Sequence, residues 1–181
     1  TIYDQDSSGA LIKSTVWKYT VIVTAKPPAS SLTLKKSETF YQGNKSDEKA
    51  DYTNNYKADG SSIDTVTTYF YHTSADNFAG ASGANADSYM TRSNTLRASD
   101  NSTKQISYFT GTESGEEQIS FSQEYNYNGT LVKTTTIYDQ DSSGALIKST
   151  VWKYTVIVTA KPLASSLTLK KSETFYQGNK G

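Results

Sequence analysis

Residues 1–45 recur at 136–180 with a single difference, Pro28 against Leu163. Near-identity at a fixed offset of 135 positions marks a tandem array, in which each copy takes the same structure and meets its neighbour through the same interface. Any fold for this chain therefore has to place the same stretch twice in comparable surroundings. The 181 residues hold one full period and about a third of another, so the chain reads as a window on such an array, with ends that are not domain termini. The expected division is residues 1–31 as the closing part of one repeat, 32–166 as a complete repeat and 167–181 as the start of the next. The boundaries are placed in Lys26–Ser31 and Lys161–Ser166, where all three prolines lie and ladder hydrogen bonds are blocked. A period of this length is enough for a core of its own, and short proline-bearing junctions favour a rod over a string of loosely tethered beads.

Alternation with a period of two runs through the longer apolar segments. Ile119, Phe121, Gln123, Tyr125 and Tyr127 share one face, while Gln118, Ser120, Ser122, Glu124 and Asn126 share the other, the pattern of a strand with one buried side. Asn128-Gly129 then predicts a type I′ turn, with positive φ at both central residues, and a hairpin partner over Leu131–Tyr138. The run Ala145–Thr159, repeated as Ala10–Thr24, reads as one long strand apolar on both sides, with Trp17 and Trp152 as equivalent core anchors. Further strands are expected over Leu32–Tyr41, Thr65–Thr73 and Lys104–Thr110, all rich in residues that suit a pleated surface. Alternation fails between Ser74 and Asp100. There Ser74–Asp87 is small and polar, and the segment reads as a packed excursion or an exposed functional loop with at most one short helix, over Asp87–Arg97 with Tyr89, Met90 and Leu96 inward. The expected class is all-β: an antiparallel, hairpin-rich sheet, sandwich-like or an extended ribbon, in a tandem-repeat array.

Eighteen basic side chains balance eighteen acidic ones without a run of either sign, which gives no electrostatic ground for nucleic acid as a partner. No apolar run approaches the roughly 20 residues of a membrane span. Cysteine is absent, which excludes disulfides, thiolate metal sites and thiol nucleophiles.

His72 is the only histidine and stands among Tyr69, Phe70 and Tyr71, so it reads as a packing or surface residue rather than half of a catalytic pair. Asp139-Gln140-Asp141-Ser142-Ser143-Gly144, duplicated as Asp4–Gly9, reproduces the opening of a calcium loop, with acidic oxygens at alternate positions before a glycine. The bidentate glutamate expected at the twelfth position is Thr150 instead. The favoured reading is a Ser-Gly hairpin turn in which the aspartates, Asp4 and Asp6 or Asp139 and Asp141, cap backbone amides. Asn44, Asn101 and Asn128 open triplets of the N-glycosylation pattern, as this composition produces by chance. No catalytic, cofactor-binding or metal-binding residue is assigned, and no enzyme is expected.

Tyr125-Asn126-Tyr127-Asn128-Gly129-Thr130-Leu131, Tyr138-Asp139 through Gly144-Ala145-Leu146, and Tyr56-Lys57-Ala58-Asp59-Gly60 resemble the YD repeats of RHS-type proteins. The resemblance implies β-hairpins that extend one long spiralling sheet in secreted or surface-exposed proteins. Tyr-to-Gly spacings vary and no arginine follows these glycines, so what it implies is a hairpin-built sheet rather than a closed shell. Repeat length and near-identity are also similar to the stalk modules of large bacterial surface adhesins. The expected function is a structural unit of an extracellular or cell-surface fibre or adhesin stalk. It would assemble head to tail with neighbouring copies of itself. The alternative is a multivalent adhesin module whose 74–100 loop binds surface glycan or protein.

Overall fold

The computed structural model describes residues 1–18, 25, 27–28, 31–74 and 77–177. They form a single antiparallel sheet of twelve strands: β1 (Ile2–Gln5), β2 (Leu11–Trp17), β3 (Lys35–Gln42), β4 (Lys49–Tyr56), β5 (Ile63–Ser74), β6 (Asn77–Ala79), β7 (Met90–Arg97), β8 (Thr103–Thr110), β9 (Gln118–Tyr125), β10 (Val132–Gln140), β11 (Leu146–Trp152) and β12 (Lys170–Phe175). Spatial order follows chain order, apart from β6, which folds back on the end of β5. β1 and β12 are the two edges, and the sheet stays open. Every pairing between neighbouring strands contains a register shift, and such bulges bend a strand and increase its twist.

The two copies of the repeated stretch take the same pairing. Asp4 faces Lys13 as Asp139 faces Lys148, and Trp17 faces Lys35 as Trp152 faces Lys170, with the bulges at matching positions. Both tryptophans are partly covered, each with the lysine ammonium of the facing strand over its ring, at 5.9 and 5.7 Å from the centroid.

Three expectations need correction. Asp87–Arg97 is not helical: Met90–Arg97 is β7, hydrogen-bonded on both sides to β5 and β8, and those two ladders override a weak local helix preference. The Asn128-Gly129 turn is not type I′. Gly129 has φ 70° but Asn128 does not take positive φ, and the turn closes one residue pair wider, with Gly129 N–H donating to Asn126 O at 3.0 Å and Asn126 N–H to Leu131 O at 2.8 Å. The same closure, glycine three residues after the turn opens, recurs at Asp6–Gly9, Lys57–Gly60 and Asp141–Gly144. Finally, Ala145–Thr159 is not one strand covered on both faces. β11 stops at Trp152, and Val156 and Ile157 are exposed. In the first copy the corresponding strand ends at Trp17, and residues 19–24 lie outside the described residues. β4, over Lys49–Tyr56, is a strand that alternation did not single out.

The sheet has two unlike faces. Phe40 stacks on Tyr52 and Tyr108 on Phe121 on one of them, at 4.6 and 4.5 Å between centroids. Hydroxyls dominate the other face. Thr39 bonds Thr53 at 2.8 Å, Thr53 bonds the Tyr69 hydroxyl at 3.0 Å, and Thr67 bonds Thr95 at 2.9 Å, each pair reaching across neighbouring strands.

Candidate interaction surfaces

The deepest point of the molecule lies on the aromatic face and is polar. Gln123 and Thr135, opposite each other on β9 and β10, are fully buried beside Phe121. What covers them is the chain leaving β11. After Lys153 donates its last ladder bond to Leu169, the segment Tyr154–Lys161 turns back across β10 and β9 as a strap. The Gln123 side-chain amide holds that strap as a strand would. Its Nε2 donates to Val156 O at 2.8 Å and its Oε1 accepts from Val158 N–H at 3.1 Å, while Thr135 Oγ1 donates to Tyr154 O at 2.9 Å. The satisfied amide explains why a polar side chain can be the most buried one here. Alternation placed Gln123 on the inward face correctly, but nothing local to it signals a backbone partner 33 residues away.

The two edges form the second surface. β12 repeats β3 residue for residue, yet their surroundings differ. In β3, Phe40 stacks on Tyr52 of β4, and Glu38, 7% exposed, accepts from the Tyr56 hydroxyl and pairs with Lys35 at 3.0 Å. Burial alone would raise the Glu38 carboxyl, but Tyr56, Lys35 and Lys13 outweigh it and hold it below the ordinary value. Burial and that carboxylate together push the Tyr56 hydroxyl up to about 12. In β12, no strand among the described residues covers the outer side. Phe175 is 73% exposed, and Glu173 keeps only Lys170 at 2.7 Å and Thr150 at 3.4 Å. The other edge is analogous. β10, whose Ile137–Gln140 repeats the Ile2–Gln5 of β1, lies against β9 with Ile137 buried, whereas β1 has no strand on that side among the described residues and leaves Tyr3 64% exposed.

The remaining candidates from sequence have defined places. Asp6 and Asp141 each cap their own turn through one oxygen, accepting from the second following serine at 2.8 Å (amide) and 2.6 Å (hydroxyl) and from the alanine amide at 3.0 Å. These bonds, led by the serine hydroxyl, lower both carboxyls below their ordinary value. Asp4 pairs with Lys13 at 3.2 Å, and Asp139 with Lys148 at 3.1 Å and Lys161 at 3.7 Å. The alternate carboxylates thus serve two different tasks, and no cluster of metal-ligating side chains occurs among the described residues. His72 stacks on Tyr89 at 4.5 Å, nearly parallel, a packing contact.

Segment 74–100 is not one exposed loop. It contains β6, a 3-10 turn over Ala81–Gly83 with Ala81 buried, and all of β7. No helix among the described residues is long and apolar enough to cross a membrane. No protein-family model, no curated protein and no solved structure matches this chain, so its own geometry is what speaks to function.

Proposed function

We propose that the chain is the structural repeat unit of a long extracellular or cell-surface fibre or adhesin stalk, a non-catalytic role in which copies join head to tail in one continuous sheet. The observation that carries this reading is the difference between β3 and β12. The same eight residues, Lys35–Gln42 and Lys170–Gln177, are covered by β4 in one place and have no outer strand among the described residues in the other. An edge whose natural complement is written elsewhere in the same chain favours continuation by a further β4-like strand. The mirror argument holds at β1, whose complement is a β9-like strand.

Geometry supports the continuation. From β1 to its duplicate β10 the sheet takes eight steps, β6 lying off the path, and an even number preserves strand direction. Each period then advances the array by about 38 Å at about 4.8 Å per strand. Absence of cysteine suits such an array, because near-identical copies cannot cross-pair through disulfides. The resemblance of its turns to YD repeats fits the same extracellular, hairpin-built role.

The test is to extend the chain past Lys180 with a second copy of residues 46–166 and to follow amide hydrogen exchange. Exchange at Ser172–Phe175 is expected to slow at least about tenfold as β12 gains its second neighbour. Unchanged exchange there would overturn the continuous-sheet reading.

A further inference from the structure

Arg92 is a cation with a buried side-chain nitrogen that has no hydrogen-bond partner among the described residues. It projects from β7 on the aromatic face, opposite Tyr108 of β8 and Phe70 of β5. Its guanidinium carbon lies 4.7 Å from the Phe70 ring centroid and 4.3 Å from that of Phe78, whose rings meet edge to face. Its Nε is buried and makes no hydrogen bond, and no ion pair or hydrogen bond engages the side chain among the described residues. Arg97, five residues on, is by contrast fully engaged, with bonds to Ser102, Thr103 and Tyr125. A guanidinium held between two aromatic rings is partly desolvated, and a buried N–H lacking an acceptor is costly to leave so.

This side chain opens on a cleft of about 370 Å³ between β7, β8 and β9 and the end of the strap. Phe78, Tyr108 and Phe121 give it flat apolar walls, Lys161 adds a second cation, and no acidic side chain lines it among the described residues. Lys161 is already tied to Asp139 and Tyr138 O, so Arg92 is the group left to meet an incoming anion.

We propose that the cleft binds a carboxylate carried on a six-membered ring, with the carboxylate on Arg92 and the ring face against Phe78 and Tyr108. A guanidinium presents paired donors that match the two oxygens of a carboxylate, and aromatic walls stack equally on the C–H face of a sugar ring or on an aromatic ring. Two sources share this chemistry, acidic saccharides and aromatic acids. The site lies wholly within residues 78–161, so it stands whether or not copies join into a fibre. In an array it would recur once per period and gain avidity from repetition.

The experiment is a titration of the intact chain with glucuronate and with benzoate, each beside its neutral counterpart, glucose or phenol, read by NMR at the Arg92 Nε–H and the Tyr108 ring. The expected result is saturable shifts at both groups with at least one acid and none with the neutral pair. Glucuronate alone saturating assigns a saccharide site, benzoate alone an aromatic-acid site. Arg92→Gln should weaken binding at least tenfold while far-ultraviolet circular dichroism is unchanged. Thr110→Glu, an exposed change at the rim that adds a repelling charge, should weaken it as well and covers the case in which Arg92→Gln does not fold. No saturation with either acid, equal binding of the neutral compounds, or full binding by both variants would overturn the proposal.

Discussion

Gly129 answers two constraints at once. Its φ of 70° is a conformation that side chains with a branched Cβ resist, and a Cβ there would lie 2.4 Å from the Thr103 backbone nitrogen at the start of β8. Gly129→Val is therefore expected to lower stability by about 2 to 4 kcal/mol. Gly115 separates the two causes, since its φ is 86° but its missing Cβ faces open space. Gly115→Ala should show the backbone cost alone, about 1 kcal/mol. Urea midpoints of both variants check this, and a Gly129→Val midpoint equal to the parent's would contradict the turn geometry. Asp59 governs a neighbouring turn. Hydrogen bonds from the Ser62 hydroxyl and from the Ser61 and Ser62 amides lower its carboxyl to about 2. A carboxyl lowered on folding stabilises above its unfolded value, near pH 4, and loses that contribution as pH falls through the folded value. Loosening of the Lys57–Ser62 turn is thus expected between about pH 4 and pH 2, visible as line broadening of the Ser61 and Ser62 amides. Parent-like spectra for Asp59→Asn at pH 7 would count against it. The location of these turns was legible, because Gly, Asn and Asp cluster where the chain must reverse. Their type was not: Asn126 closes its loop by accepting from the Thr130 and Leu131 amides, at 2.9 and 3.1 Å, a side-chain contribution that the dipeptide alone does not encode.

At the scale of elements, the strap is the part that periodicity misread. Trp152, Tyr154, Val156 and Val158 keep alternating after the backbone has left the sheet, since the signal records side-chain order and not where hydrogen bonds go. Leaving is decided by Gln123 and Thr135, far back in the chain, which take the carbonyls of Val156 and Tyr154. Gln123→Ala removes both bonds to the strap and leaves Val156 O and Val158 N–H without their partner. A loss of about 2 to 4 kcal/mol is expected, with faster hydrogen exchange at Val158. Slow exchange at Val158 in that variant would show that the strap is held by something else. β4 was hidden for a different reason. Its Asn and Asp residues have poor intrinsic strand preference, and it forms because β3 and β5 offer ladders on both sides, with Tyr52 and Tyr56 supplying the contacts to Phe40 and Glu38. The aromatic cleft at Arg92 escaped notice similarly: Phe70, Phe78, Arg92 and Tyr108 come from four strands, and only their register brings them together.

For the whole molecule, the order of strands sets how it answers force. β1 lies at one edge and β12, eleven strands later, at the other, so tension between the two edges acts across the ladders and opens them one bond after another, as a zipper does. Each bond contributes only about 1 kcal/mol net, so hairpins should peel at low force and close again when it is released. The strap interrupts that sequence. It leaves β11, passes β10 and fastens on β9, a stitch through three strands. Peeling from the β12 edge should run freely to β11 and stall until Gln123 and Thr135 let go. Single-molecule stretching of this chain is expected to give a low plateau broken by one stronger rupture at the strap, and Gln123→Ala should erase the rupture while keeping the plateau. A thread built from such units would yield in measured lengths under a sudden pull, dissipate the shock stitch by stitch, and recover its length at rest.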